Sequence, residues 1–231
     1  MGTIARMRSV PVAIAVLLLA AGCGGTNQAS SSGTSGGSGS TSGSSSSATC
    51  ETVDYPIAQD PVILRAPTKL LDASRMYTLT FDTTCGTFAV RLDTKLSPQT
   101  SASLVSLARK KYFDDTPVVR IVPRLLIQAG DPTQTGAGQP GYSTVDVPPR
   151  GTRYTRGTMA MAKSQLDEAG AAGSQFFIVT AKEAKLPPIY AVVGKVTKGL
   201  DVVEHMGRLG NKKQQPILPI VIRAVTVGVS P

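Results

Sequence analysis

The sequence predicts a mainly β domain, a closed antiparallel barrel with two α-helices, preceded by an N-terminal segment of different character. Three observations lead to this fold class. Short runs of β-branched and aromatic residues alternate with polar ones, only two segments have helical periodicity, and about 180 residues from Cys50 onward suffice for one domain with a sizeable core. A closed barrel is favoured because closure removes the exposed edges of such strands.

The strands begin with a predicted hairpin. Residues 77–82 (YTLTFD) and 87–92 (TFAVRL) alternate around the turn sequence TTCG. Six further strand candidates follow, at residues 116–122, 125–129, 157–162, 175–180, 190–196 and 220–227. Side chains would fill the interior of so small a barrel, so a ligand is expected to bind on its outside.

Two helices are predicted between these strands. Ser97 is expected to cap the first helix, with Pro98 in its first turn and an apolar face within SASLVSLARKKYF. The second helix is predicted over residues 200–206 and is ended by Gly207 and Gly210.

The N-terminal segment has the pattern of an exported protein. Residues 1–22 contain two arginines and then an apolar run, which is typical of a signal peptide. The run ends in LLLAAGC, which resembles the lipobox of bacterial lipoproteins and implies lipidation of Cys23; a plain secreted protein is the alternative. Residues 23–49, mostly Gly, Ser and Thr, predict a flexible linker, followed by an extension at 50–75 and the domain at 76–231. The expected localisation is therefore the outer face of a bacterial cytoplasmic membrane.

Charge and cysteine content disfavour several function classes. The formal net charge is +9, but the basic residues are scattered singly or in pairs, which argues against nucleic acid as a partner and favours weak attraction to anionic lipid or polymer. His205 is the only histidine and no Cys-x-x-Cys motif occurs, so neither a metal nor a cofactor is expected. In an exported domain, Cys50 and Cys85 suggest a disulfide.

Five strings resemble one known family, the cyclophilins, which are peptidyl-prolyl cis-trans isomerases. They are RIVPRLLIQAGD, GDPTQTGAGQPGY, GTMAMA, GSQFFIVT and YAVVGKVTKGLDVV, and they occur in the family's order between residues 76 and 227. The resemblance implies an eight-stranded antiparallel barrel capped by two helices, with a substrate groove on its outer face.

The resemblance also implies which residues form the site. Arg120 matches the catalytic arginine and Gln128 the glutamine of the groove. The backbone of Ala162 and Lys163 would pair with the bound peptide. The remaining matches are to the side chains that surround the proline ring, namely Leu125, Leu126, Phe177, Leu186 and Tyr190.

The predicted function is a peptidyl-prolyl isomerase that assists the folding of exported proteins. Its partners would be proline-containing unfolded or flexible polypeptides and, through the lipid, a membrane; a monomer is expected. The alternative is a catalytically weak module that binds proline-containing peptides, because Leu125 stands where the family usually has phenylalanine. A third hypothesis is a nutrient-binding lipoprotein, but a barrel filled by side chains has no interior cavity for a nutrient.

Overall fold

The computed structural model describes residues 49–231, which form a mainly β fold with two α-helices. The predicted signal peptide (1–22), Cys23 and all but the last residue of the predicted linker (23–49) lie outside the described residues. In chain order the elements are β1 (Met76–Thr83), β2 (Gly86–Leu92), α1 (Pro98–Arg109), β3 (Thr116–Pro117), β4 (Arg120–Val122), β5 (Leu126–Ala129), β6 (Thr144–Val145), β7 (Tyr154–Thr155), β8 (Thr158–Met161), β9 (Ala171–Ala172), β10 (Phe176–Val179), β11 (Glu183–Ala184), β12 (Val192–Lys198), α2 (Leu200–Arg208) and β13 (Val221–Ser230).

Nine of the strands form one curled antiparallel sheet in the order β3-β13-β1-β2-β12-β8-β10-β5-β4. The predicted closed barrel of eight strands is not confirmed, because β3 and β4 are edges that do not pair with each other. Both edges belong to one short chain segment. Between them the Val118 N–H donates to the Ile220 carbonyl (2.8 Å) and the Val119 N–H to the Gln128 carbonyl (3.0 Å), so consecutive residues bond to opposite ends of the sheet.

The hydrophobic core is divided between the two faces of β10. Phe176 and Ile178 lie in the main cluster, where Phe176 packs against Phe81 with ring centroids 5.4 Å apart. Phe177 and Val179 lie in a second, smaller cluster. The division follows from the alternation of side chains along a strand. It leaves Phe177 on the face that carries the site described below.

Helix α1 begins where predicted, but Ser97 does not cap it with its side chain. The Ser97 hydroxyl donates instead to the Val192 carbonyl (2.6 Å). The free N–H of Thr100 in the first turn donates to a carboxylate oxygen of Asp146 (2.7 Å), so an acidic side chain from a distant loop satisfies the helix start.

Helix α2 extends beyond its predicted end. It continues through Gly207 to Arg208, whereas the sequence predicted that Gly207 would end it. The glycine is needed for close packing rather than for a turn, because a Cβ at this position would lie 2.7 Å from the Thr180 side chain.

Residues 50–75 contain no helix or strand and run along the domain. We call residues 50–66 the N-terminal strap. A disulfide joins Cys50 to Cys85 in the β1–β2 turn, and Glu51 forms an ion pair with Arg223 on β13. Leu64, within the strap, packs partly buried against the main core.

None of the helices formed by residues 49–231 has both the length and the apolar character that a membrane span requires.

Candidate active site

The site is built on one row of residues that crosses the sheet. Arg120 on β4 is paired with Gln128 on β5, which is paired with Phe177 on β10, which is paired with Ala160 on β8. Directly opposed residues of neighbouring strands carry their side chains on the same face. The ladder register therefore places the guanidinium, the amide and the aromatic ring side by side.

Hydrogen bonds hold the two polar side chains of this row in place. Arg120 donates its Nη1–H to Gln128 Oε1 (3.5 Å) and its Nε–H to Oε1 of Gln214, a loop residue that follows α2 (2.8 Å). Gln128 in turn donates from Nε2 to Oε1 of Gln175 (3.0 Å). Within residues 49–231 no carboxylate lies within 4.0 Å of the Arg120 guanidinium. Its positive charge thus remains available to a ligand.

The aromatic part of the site surrounds Phe177, which is 4% exposed. Tyr190 meets the Phe177 ring edge-on, with centroids 5.5 Å apart. The buried Tyr154 fixes Tyr190 by its backbone, because the Tyr154 hydroxyl donates to the Tyr190 carbonyl (2.9 Å) and accepts the Tyr190 N–H (3.0 Å). Burial raises the pKa of the Tyr154 hydroxyl, so this group stays protonated at neutral pH.

Beside this row lies a cavity of about 450 Å³, open to solvent on one side. All nine side chains or positions predicted for catalysis and substrate binding line it. Two further residues, Val122 and Gln214, complete its wall. The nine are Arg120, Leu125, Leu126, Gln128, Ala162, Lys163, Phe177, Leu186 and Tyr190.

Sequence reasoning missed two of the polar residues at this site. Gln214 lies in the stretch NKKQQP, which has no periodicity from which a position could be inferred. Gln175 stands within the string GSQFFIVT, but nothing in the string indicates that its side chain would meet Gln128. The only available signal was its place directly before two aromatic strand residues.

Beyond the end of β8 the chain offers a free strand edge. The Ala162 N–H donates to the Gln175 carbonyl (2.9 Å). In the described part of the chain, the backbone N–H and carbonyl of the next residue, Lys163, have no backbone partner. The Lys163 ammonium is turned towards its own loop and donates to the Ser164 and Asp167 carbonyls at 2.9 and 2.8 Å.

Comparison with known proteins identifies the family. Residues 78–227, more than half of the chain, match the family model described as cyclophilin type peptidyl-prolyl cis-trans isomerase/CLD. The chain belongs to the cyclophilin family. Cyclophilins bind proline-containing peptides, and the chain is a peptidyl-prolyl cis-trans isomerase.

Curated proteins similar to this cyclophilin come from several eukaryotes. Peptidyl-prolyl cis-trans isomerase-like 1 of Aspergillus fumigatus is 33% identical over 153 residues, which cover 64% of this chain and 93% of the relative. Peptidyl-prolyl cis-trans isomerase-like 3 of Dictyostelium discoideum is 30% identical over 158 residues, which cover 66% and 96%.

A solved structure supports the cyclophilin fold. The crystal structure of a Cryptosporidium parvum cyclophilin type peptidyl-prolyl cis-trans isomerase matches with a TM-score of 0.60 and 24% identity, covering 68% of this chain and 99% of that one. The same protein was also crystallised in the presence of the dipeptide Ala-Pro, and that structure matches with a TM-score of 0.59.

The comparisons contradict the predicted localisation at the outer face of a bacterial cytoplasmic membrane. Similar curated proteins from fungi, from Dictyostelium and from a plant are eukaryotic, and they give no support to bacterial lipid anchoring. The prediction rested on the first 23 residues, which the matched region does not include.

Proposed function

We propose that Arg120 and Gln128 catalyse prolyl isomerisation in the cavity beside Phe177. The observation that carries this assignment is the row Arg120, Gln128, Phe177, at one register of three neighbouring strands and on the wall of one cavity. An always-charged donor, a neutral amide and an apolar surface are thus available to a single bound residue.

The reaction needs donors rather than a nucleophile. Rotation about a peptide bond is opposed by resonance, with a barrier of roughly 18 to 20 kcal/mol. As the bond preceding proline twists, this resonance is lost and an electron pair localises on the proline nitrogen. A fixed N–H donor aimed at that nitrogen, in a partly dry site, stabilises the twisted state more than the planar one.

Arg120 suits this task because its guanidinium is planar and always charged. Its Nε–H and Nη1–H bonds to Gln214 and Gln128 orient the group and leave the Nη2 end to reach the substrate. Gln128 would hold a substrate backbone group while its own position is set by Gln175.

Substrate binding would combine a proline pocket with an added strand. The proline ring would rest on Phe177 among Leu126, Leu186 and Tyr190. The unpartnered backbone groups of Lys163 would bond to the peptide backbone as in β-strand addition. Backbone pairing reads the shape of a peptide more than its sequence, so we expect many different Xaa-Pro sequences to be accepted.

We infer that the clients are unfolded or flexible polypeptides, and that the isomerase acts on them as a monomer. Uncatalysed prolyl isomerisation takes about 10 to 100 s and limits the folding of many chains. A surface cavity reaches a prolyl bond only where the chain around that bond is free to bend into it.

A second function, peptide binding with little catalysis, is favoured by one observation. Leu125 is half-buried at the cavity wall. It offers the proline ring less apolar surface than the phenylalanine usual in the family would, and no aromatic surface. Weaker contact with the twisted substrate would lower the rate without abolishing binding.

Exchange NMR on a short Xaa-Pro peptide tests the proposal. We expect the wild type to accelerate cis-trans exchange, Arg120→Ala to lose on the order of 10²-fold of the acceleration or more, and Arg150→Ala, an exposed loop arginine outside the cavity, to match the wild type. An Arg120→Ala variant as active as the wild type would refute the assignment, and a wild type that leaves exchange at its uncatalysed rate would favour the binding module.

A further inference from the structure

We propose that the N-terminal strap positions Gln128 and Arg120 by holding the loop of residues 131–140, which we call the glycine loop. This inference rests on the function proposed for those two residues. The strap precedes the stretch that matches the family, residues 78–227, so it is a feature of this chain in addition to the family fold.

Three hydrogen bonds tie the strap to the glycine loop. The Gln59 N–H donates to the Pro132 carbonyl (2.9 Å) and the Leu64 N–H to the Pro140 carbonyl (2.7 Å). In the opposite direction, the Gln134 side chain donates to the Pro56 carbonyl (2.8 Å). The strap therefore holds the loop at its beginning, its middle and its end.

The glycine loop is itself organised around the buried carboxylate of Asp131, which is 0% exposed. This carboxylate accepts the N–H groups of Thr133 (2.9 Å), Gly136 (2.6 Å) and Gly138 (3.3 Å). The loop carbonyls of Gly136 and Gly138 then accept the Gln175 amide at 3.0 and 3.3 Å. A displacement of the loop would thus displace Gln175.

From Gln175 the contacts continue without a gap to the catalytic arginine. Gln175 accepts from Gln128, and Gln128 accepts from Arg120. Each amide has only one orientation that satisfies both of its neighbours, since oxygen accepts and nitrogen donates. The position of the strap is therefore coupled, through the loop and two glutamines, to the donors of the active site.

A double variant, Gln59→Pro/Gln134→Asn, and a matched control test this coupling. Gln59→Pro removes the strap N–H that bonds to Pro132, and Gln134→Asn shortens the side chain that reaches Pro56. Asparagine tolerates the left-handed backbone of position 134, where φ is 58°. The control, Gln59→Ala, keeps the backbone N–H and loses only the side-chain bond to the Asp114 carbonyl.

In the double variant Gln59→Pro/Gln134→Asn we expect kcat to fall about tenfold, as small misplacements of catalytic groups do, with KM nearly unchanged. The side-chain amide signals of Gln128 and Gln175 should broaden or shift in NMR, while the Leu126 methyl signals stay in place. Gln59→Ala should match the wild type. If the wild type is active and the double variant has the same kcat as Gln59→Ala, the role of the strap is refuted; an inactive wild type would instead refute the proposed function.

A different observation concerns a second groove, about 630 Å³, which shares no lining residue with the isomerase cavity. Four cations line it: Arg75, Arg91, Lys95 and Lys195. Arg91 on β2 and Lys195 on β12 are directly opposed in the sheet, an unfavourable pairing of like charges. The sequence analysis expected scattered basic residues, and the fold gathers these four.

The cations of this groove form no close ion pair in the described part of the chain, although the pKa of Asp72 is lowered by hydrogen bonds from Ser74 and also by the charge of Arg75. Residues 49–231 place no carboxylate within 4.0 Å of them, and the sequence before residue 49 contains no Asp or Glu. The only acidic residue lining the groove is Asp93, whose carboxylate accepts the backbone N–H groups of Lys95 (3.3 Å) and Leu96 (2.9 Å). Four cations against one carboxylate give the groove a net positive charge, which attracts anions.

We infer that this groove binds a small polyanion whose phosphate or carboxylate oxygens lie between Arg91 and Lys195. Such a ligand would relieve the repulsion between the two side chains. The arginine fork matches either kind of oxygen pair. Arg75 and Lys95 would contact further anionic groups of the same ligand.

Calorimetric titration with tripolyphosphate and, separately, with citrate tests the groove and distinguishes the two chemistries. Arg91→Gln/Lys195→Gln should weaken binding of the preferred anion at least tenfold. The control Arg109→Gln/Lys110→Gln removes the same charges from the exposed end of α1 and should bind as the wild type does. Equal loss in both double variants, or no binding of either anion to the wild type, would overturn the inference.

Discussion

At the scale of single residues, Leu125 replaces the phenylalanine that cyclophilins usually have at this position, and this replacement affects catalysis. Leu125 lies on the cavity wall and packs partly buried against the cluster that contains Phe177. An aliphatic side chain buries less of the proline ring than an aromatic one. A difference of about 1 kcal/mol in transition-state binding corresponds to about fivefold in rate.

We therefore expect Leu125→Phe to raise kcat/KM for an Xaa-Pro peptide by several-fold, up to about tenfold. Exchange NMR under conditions where the uncatalysed rate is measured in parallel gives the comparison. Leu70→Phe adds the same aromatic surface at an exposed position outside the cavity and should change nothing. A Leu125→Phe variant no faster than the wild type would show that the aromatic contact does not limit this enzyme.

Tyr154 holds Tyr190, a residue of the cavity wall, in position. Its hydroxyl serves both backbone groups of Tyr190, which forms one side of the pocket. Tyr154→Phe would leave that N–H and carbonyl without a partner in a partly buried place. We expect the free energy of unfolding in urea to fall by about 1 to 3 kcal/mol and KM to rise, whereas an unchanged KM would mean that Tyr190 holds its position unaided.

At the scale of elements, the close packing of the glycine loop determines the position of Gln175 at the site. A Cβ on Gly138 would lie 1.9 Å from Asp131 Oδ1 and 2.5 Å from Thr133 Oγ1, so any larger residue must displace the buried carboxylate. That carboxylate organises the loop, and the loop holds Gln175. Asp131 stands in two of the family strings, RIVPRLLIQAGD and GDPTQTGAGQPGY, but nothing in either string indicates that its carboxylate lies at the centre of the loop.

Gly138→Ala is accordingly predicted to lower kcat on the order of tenfold and to reduce stability by about 1 to 3 kcal/mol. Gly151→Ala is the matched control, because a Cβ at position 151 meets no atom within 4 Å. Stopped-flow kinetics and thermal unfolding of both variants give the two quantities. If Gly138→Ala loses stability and keeps its full kcat, the loop does not position the site.

Element by element, the sequence predicts most of what depends on periodicity. The alternation of side chains along β10 accounts for Phe176 and Phe177 lying in different clusters, and the family strings include β4 and β5. What it misses depends on contacts between distant segments. Asp146 replaces Ser97 as the cap of α1, Thr180 explains Gly207 inside α2, and Gln214 arrives at Arg120 from a loop 94 residues away.

At the scale of the whole molecule, the sheet is open where a closed barrel was expected, and the strap is fixed to it covalently. The disulfide between Cys50 and Cys85 closes a loop with a sequence separation of 35 residues. Such a bond restricts the unfolded chain, and it also retains the strap beside the glycine loop when individual hydrogen bonds open.

We expect Cys50→Ser/Cys85→Ser to lower the free energy of unfolding by about 3 to 4 kcal/mol, from the chain-entropy model. Urea denaturation measures this loss. Dithiothreitol should destabilise the wild type by a similar amount and leave the double variant unaffected. Equal stability of the wild type with and without reductant would mean that the bond does not constrain the strap.

The most direct test of the central claim, that Arg120 acts on the twisted peptide bond and not on binding alone, is Arg120→Lys. Lysine keeps the charge but not the planar fork. Exchange NMR and the Kd for a proline peptide should be measured on the same sample. We predict that kcat/KM falls by on the order of 10²-fold while Kd changes less than about threefold. Full activity in Arg120→Lys, or a loss of activity that is matched by an equal loss of affinity, would contradict the account.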